Sequence, residues 1–327
     1  MSVVKTPQEL LSAVPFLLGF HPENSIVVIS VKDDSLEMAM RIDYPQLDEQ
    51  GLAGLNIVEH TPANDGVLIV GYLPNENLDE ETAFLDTLGN LFAMDNKYNV
   101  REILAVWDGK YRSLLCQDET CCPVEGTPVP EFKDNRITAE QVAQGKPLPF
   151  ASSEVLVASL EANDTAKDKD FIALVKSFRK PKGMTDKAYQ QEGALAIDLV
   201  LAEAEMQNPL SKELIAKVLG HLTDIQVRDY ALGASNNAEL AHATYLEVSK
   251  YAPKGFVSPI TCLTSAFAYE IGNGAEAHRL LDRALQDDAE YTLARLLRRV
   301  FSSGWPVEGF AQLRGELHAR VTESIFG

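Results

Sequence analysis

The sequence predicts an α/β N-terminal domain, a mixed sheet with flanking helices, followed by an all-α C-terminal domain. Three observations carry this. Before residue 123, apolar residues recur with period two or in short unbroken runs, which is strand rhythm. A proline-studded stretch then runs from Pro123 to Pro149. After it, apolar residues recur only at three-to-four spacing, the rhythm of helices. The 327 residues are enough for two domains that each bury a core. The boundary is expected near 150, giving domains 1–150 and 151–327, with a mobile charged segment at about 161–186.

The first helix has a start signal in Thr6-Pro7-Gln8-Glu9. This reads as a capping box, the Thr6 hydroxyl accepting from the Glu9 N–H and the Glu9 carboxylate reaching back to the Thr6 N–H. Pro7 suits the first helical position, and Pro15 is expected to end or kink the helix near Val14. Residues 26–31 are unbroken apolar, as for a strand buried on both faces. Lys32-Asp33-Asp34-Ser35 reads as a turn. Leu36, Met38, Met40 and Ile42 then alternate with Glu37, Ala39, Arg41 and Asp43 as in a half-buried strand. Residues 67–72 make a third strand. Residues 77–96 make an amphipathic helix with Phe84, Leu85, Leu88, Leu91 and Phe92 on one stripe. Asp108-Gly109, between apolar runs 101–107 and 110–116, is a hairpin turn of the type that needs positive φ.

In the second half, Ser211 caps a helix holding Leu214, Ile215, Val218 and Leu219, which Gly220 is expected to close. Residues 258–271 and 275–287 form two helices around the turn Gly272-Asn273-Gly274. Ala277, Leu281 and Ala284 fall at the spacing of a tetratricopeptide second helix, although Thr261, Ser265 and Ala289 depart from that pattern. Only one such repeat is readable, and a solenoid needs about three, so the expectation is a tetratricopeptide-like hairpin inside a helical domain.

Composition excludes some roles. Lys plus Arg number 29 against 48 Asp plus Glu, a net charge of -19, so this acidic chain is a poor match for phosphate backbones and anionic lipid. No nucleic-acid and no membrane partner is expected. Residues 10–20 resemble the core of a secretory leader, but Glu9, Pro15 and the lack of a small-x-small cleavage site argue against one. No apolar run approaches the roughly 18 residues needed to span a bilayer. A cytoplasmic location is therefore expected, where four cysteines serve as thiols or metal ligands rather than disulfides.

Four separated elements carry a family resemblance. They are Leu17-Leu18-Gly19-Phe20-His21-Pro22 with Ser25 and a Val/Ile strand; Arg41-Ile42-Asp43-Tyr44-Pro45; Cys116 with Cys121-Cys122-Pro123 and Gly126; and residues 277–297 after Gly272-Asn273-Gly274-Ala275. In this order they resemble the actinobacterial proteins grouped as domain of unknown function 4192. The resemblance covers nearly the whole chain. It implies a cytoplasmic bacterial protein and no assigned activity, so no catalytic residue is carried over.

The chemistry-bearing candidates are few. Cys116, Cys121 and Cys122 have a spacing that suits two thiolates on one zinc. A closed zinc site needs four ligands, and His21, His60 or Cys262 would have to complete it from a distance. Buried structural thiols and a redox pair are the other readings of this cluster. The loop Gly19 to Ser25 offers a glycine for close approach, His21 and Ser25; a nucleophile would need His21 within reach of Ser25 and Asp43 orienting the ring. The opposing reading is a turn that delivers the chain into its strand. Arg41 and Asp43 share one face of a strand and suit either a ligand's carboxylate or phosphate, or a mutual ion pair. Arg279, Arg283, Arg295 and Arg299 are candidates for docking an acidic partner, with Asp282, Asp287, Asp288 and Glu290 interleaved to neutralise them. No phosphate-binding glycine loop and no His-Glu-x-x-His occurs.

With no complete catalytic set, the sequence points to a non-enzymatic binding or adaptor protein that engages a protein partner through its helical domain. The alternative is a small-molecule-binding or hydrolytic enzyme with its site where Gly19, His21, Ser25, Arg41, Asp43 and the cysteines converge. Zinc is the one cofactor suggested.

Overall fold

The computed structural model describes residues 4–32, 35–45, 49–61, 66–95 and 97–327. The chain divides into two compact units, Met1–Leu156 and Val157–Gly327.

The first unit opens with α1 (Pro7–Leu18), β1 (Ser25–Lys32), β2 (Ser35–Asp43), α2 (Gln50–His60) and β3 (Gly66–Tyr72). It continues with α3 (Leu78–Met94), β4 (Val100–Trp107), β5 (Lys110–Ser113), β6 (Thr127–Pro128) and α4 (Arg136–Ala143). The strands form one six-stranded mixed sheet in the order β2-β1-β3-β4-β5-β6. Every neighbouring pair is antiparallel except β3 and β4, which α3 links as a crossover. β1 lies inside the sheet and is buried on both faces, as its unbroken apolar run requires. One face of the sheet packs Ile26, Val28, Ile69, Ile103 and Ala105 against Ile57 of α2 and Phe84, Leu85, Leu88 and Phe92 of α3. The expected turn at Asp33-Asp34 lies outside the described residues, as does Asn96, the expected end of the α3 helix.

α1 departs from expectation at both ends. The Glu9 N–H donates to the Thr6 hydroxyl at 3.2 Å, but the Glu9 carboxylate accepts from the Lys5 N–H at 2.8 Å rather than from Thr6. Pro15 does not end the helix, which runs on to Leu18; Leu10, Leu11, Val14 and Leu18 are all buried, and that burial outweighs the missing hydrogen bond. The stop is Gly19, whose φ of 80° is the left-handed conformation that favours glycine. The β4–β5 hairpin forms as expected, with positive φ at both Asp108 and Gly109.

Beyond Ser152 the regular elements among the described residues are all helices. The elements are α5 (Ser153–Ser159), α6 (Lys169–Ser177), α7 (Asp186–Glu205), α8 (Lys212–His221), α9 (Ile225–Gly233) and α10 (Ala238–Ser249). They are followed by α11 (Val257–Glu270), α12 (Gly274–Asp287), α13 (Thr292–Ser302) and α14 (Val307–Phe326). Segment 161–186, expected to be a mobile charged stretch, holds a 3₁₀ turn and α6, which buries Phe171 and Val175. Gly220 is not a helix stop: it sits inside α8, where its bare backbone lies against Val175 and Phe178. α11 and α12 form a hairpin around Gly272, whose φ is 85°. Asp287 at the end of α12 accepts from the Gly255, Val257 and Ser258 N–H groups, so it caps α11. The Ser265 hydroxyl donates across the pair to the Ala277 carbonyl at 2.8 Å.

Candidate functional site

The β4–β5 hairpin returns the chain past Ser113, and the loop that follows gathers three cysteines. The Sγ atoms of Cys116, Cys121 and Cys122 all lie within 4.8 Å of one another. Main-chain bonds hold them there. The Asp118 carbonyl accepts from both the Cys121 N–H, at 3.1 Å, and the Cys122 N–H, at 2.7 Å. The Asp118 carboxylate accepts from the Thr120 N–H at 2.9 Å, which closes the turn. On the other side the Cys116 N–H donates to the Ser113 hydroxyl at 3.2 Å, and that hydroxyl donates to Glu102 at 2.6 Å. Cys121 is exposed and the other two half-buried. Burial, together with the neighbouring Cys116 and Cys121 thiols, pushes the Cys122 thiol up to about 11, so at neutral pH it stays protonated unless a cation displaces the proton. Burial raises the nearby Tyr111 phenol as well, and the Cys121 and Cys122 thiols act in the same direction.

None of the distant ligands considered for zinc joins this cluster. Cys262 is fully buried in α11, in the other unit. The His60 ring nitrogen Nδ1 contacts the Asn56 carbonyl of its own helix at 2.8 Å. The His21 ring packs edge-on against Phe132, with centroids 4.5 Å apart. Among the described residues the cluster takes in no imidazole and no carboxylate.

The loop Gly19 to Ser25 does not pair its serine with its histidine. Its backbone is tied to residue 150, the His21 N–H donating to the Phe150 carbonyl at 3.0 Å and the Phe150 N–H to the Gly19 carbonyl at 2.8 Å. Burial holds His21 below its ordinary value, so the ring is neutral at pH 7. Ser25 is fully buried, and among the described residues its hydroxyl has no partner, so no hydrogen bond joins it to His21. Asp43 orients no ring; it pairs with Arg41 at 2.7 Å and its side chain is 84% exposed. Arg41 in turn reaches the Glu23 carbonyl at 3.4 Å and lies 5.7 Å from the Phe20 ring centroid. Its guanidinium thus pins the loop rather than facing outward for a ligand.

The three elements do not converge on one pocket. Asp43, Ser25, Tyr72, Val106 and Tyr111 form one row across the sheet. Four strand spacings separate Asp43 from Tyr111, or about 19 Å. The cavity beside His21, about 90 Å³, is lined by Leu11, Pro15, Tyr72, Val106, Pro130 and Phe132 among others, and by none of the cysteines, Arg41 or Asp43.

The arginine candidates are engaged internally. Arg283 is largely buried and donates to the Leu160 carbonyl at 2.5 Å and the Ser249 carbonyl at 3.0 Å. Arg279 pairs with Asp282 at 3.4 Å and Arg295 with Glu290 at 2.6 Å. Arg299 is exposed, and among the described residues it makes no ion pair. Interleaved carboxylates therefore neutralise two of the four arginines, and main-chain carbonyls hold a third.

Two features of interest were not singled out from the sequence. One is the pinning of the thiols by Asp118, Ser113 and Glu102, for which the only sequence signal is an Asp two residues before Thr120. The other is a line of exposed apolar side chains, Leu195 and Leu199 on α7 and Met206 at its C-cap, set at helical spacing. Their signal is that residues 194–201 are apolar nearly all round the helix.

Fold and site together define a protein with a mixed-sheet unit that carries a thiol cluster, and a second unit built of helices. A family model described as "Domain of unknown function (DUF4192)" matches residues 7–308, and the chain belongs to that family. No curated protein and no solved structure matches the chain. Among the described residues, no helix is long and apolar enough to cross a membrane.

Proposed function

We propose that the protein is a non-enzymatic binding or adaptor protein that docks a protein partner on its helical unit. The carrying observation is α7. Tyr189, Ala196, Ile197 and Val200 bury one face of this helix, while Leu195 and Leu199 on another, and Met206 at the C-cap, stay 60%, 48% and 60% exposed. Exposed apolar side chains aligned along one helix face cost solubility unless something covers them. The α11–α12 hairpin supports the reading, because Ala277, Leu281 and Ala284 are buried where a tetratricopeptide pair buries its small and branched residues. The enzyme reading has less behind it: the His21 cavity is far smaller than the roughly 300–1,000 Å³ of ordinary ligand sites. Four free thiols fit a cytoplasmic location.

The test uses the immobilised full chain and a native lysate, with a Leu195→Glu/Leu199→Glu variant alongside. Wild type should retain a defined protein that the variant, of equal helical content and melting temperature, releases. Retention of the same proteins by both, or of none by either, contradicts the proposal.

A further inference from the structure

We infer that Cys116, Cys121 and Cys122 form a three-thiolate site for a thiophilic d10 cation, of the Cu(I) class in preference to Zn(II). This goes beyond the adaptor reading and stands independently of it.

Geometry supplies the first argument. A metal–thiolate bond of about 2.3 Å sets three sulfurs about 4.0 Å apart around a central ion. The three Sγ atoms already lie within 4.8 Å of one another, so the site closes with shifts under about 1 Å, within the reach of a χ1 adjustment. Main-chain bonds to the Asp118 carbonyl and the Ser113 hydroxyl gather the donors, so no ion is needed to assemble the loop and little ordering cost remains at binding.

The surroundings supply the second. A structural thiol in this chain looks like Cys262, which is fully buried among the apolar side chains of α11. The clustered three are different, because one is exposed and two are half-buried, which gains little as packing.

The donor set decides the ion. Closed zinc sites are tetrahedral with four protein ligands, and here the cluster offers three sulfurs with no imidazole or carboxylate among the described residues. Thiolates suit both Cu(I) and Zn(II), but three of them complete a trigonal Cu(I) site and leave a closed zinc site one ligand short. Binding changes no oxidation state: one Cu⁺ replaces three thiol protons, which leave to solvent.

The experiment takes the full chain, reduced and kept free of oxygen, and titrates it with Cu(I) against the chromophoric chelator bicinchoninate. A parallel titration uses Zn(II) against a zinc indicator. One Cu(I) per chain is expected, with a Cys262→Ala variant unchanged. Cys121→Ser/Cys122→Ser should weaken binding at least about 100-fold, because losing even a supporting neighbour of a metal ligand costs 10–100-fold. Failure of wild type to compete for either ion overturns the site, whatever the variants do. Unaltered binding in a folded double variant overturns it equally. One tightly held Zn(II) per chain that Cu(I) does not displace overturns the choice of ion.

Discussion

Replacing Arg314 with alanine is expected to destabilise the helical unit by about 3–5 kcal/mol, the cost of breaking one side of a buried ion pair. Arg314 of α14 is only 5% exposed. Its Nε and Nη2 donate to the two oxygens of Glu270 on α11 at 2.9 and 3.0 Å, and its Nη1 donates to the Leu232 carbonyl of α9 at 2.6 Å. The guanidinium also lies 4.4 Å from the Phe267 ring centroid. One side chain thus joins three helices, and its removal leaves the Glu270 carboxylate and a helix-end carbonyl without their donors. Arg314→Lys should recover only part of the loss, because an ammonium cannot make the two-pronged contact. Arg314→Met combined with Glu270→Leu should recover more, since no charge is then stranded. Urea unfolding followed by Trp305 fluorescence in a Trp107→Phe background measures this; a loss within about 1 kcal/mol would show that the pair contributes like a surface bridge.

The second large effect is expected at Gly220. A Cβ built there would lie 2.5 Å from the Phe178 Cβ and 2.9 Å from the Val175 carbonyl oxygen. Backbone cannot swing aside as a side-chain tip does, so α6 would have to back away from α8. That also strains the Tyr189 hydroxyl, which donates to the Phe178 and Gly220 carbonyls at 2.9 and 3.2 Å. Gly220→Val should cost about 3 kcal/mol by overpacking. Gly315→Ala is the matched control: its Cβ meets nothing within 4 Å, so it should gain up to about 1 kcal/mol of helix propensity. Equal stability for Gly220→Ala and wild type would contradict the close approach.

Gly220 also shows where the sequence stops being legible. A glycine after an apolar run reads as a helix stop, and the same letter serves a helix crossing. Only the φ angle and the neighbouring helix distinguish the two, and neither is local. Pro15 misleads for the same reason, since tertiary burial of α1 overrides a local breaker. Strands β1 and β3 were legible as short apolar runs buried inside the sheet, α3 by its apolar stripe and the β4–β5 hairpin by Asp108-Gly109. α2, β6 and α4 were not singled out; α2 buries little more than Gly54 and Ile57 among its described side chains, and its period is correspondingly faint. Arg283 read as a docking candidate one turn from Arg279, yet it turns toward carbonyls 34 and 123 residues away in sequence. In the site, the spacing of the cysteines suggested a cluster, while the bonds that assemble it depend on where the hairpin ends.

The central claim is that the fold gathers Cys116, Cys121 and Cys122 into one cluster. The most direct measurement treats the reduced, native full chain with phenylarsine oxide, which bridges two neighbouring thiols with loss of water, and maps the adduct by mass spectrometry. One arsenical per chain is predicted, held on the peptide spanning residues 116–122, with Cys262 unmodified until denaturant is added. No bridged adduct on that peptide, or Cys262 reacting as fast as the others in native protein, would contradict the account.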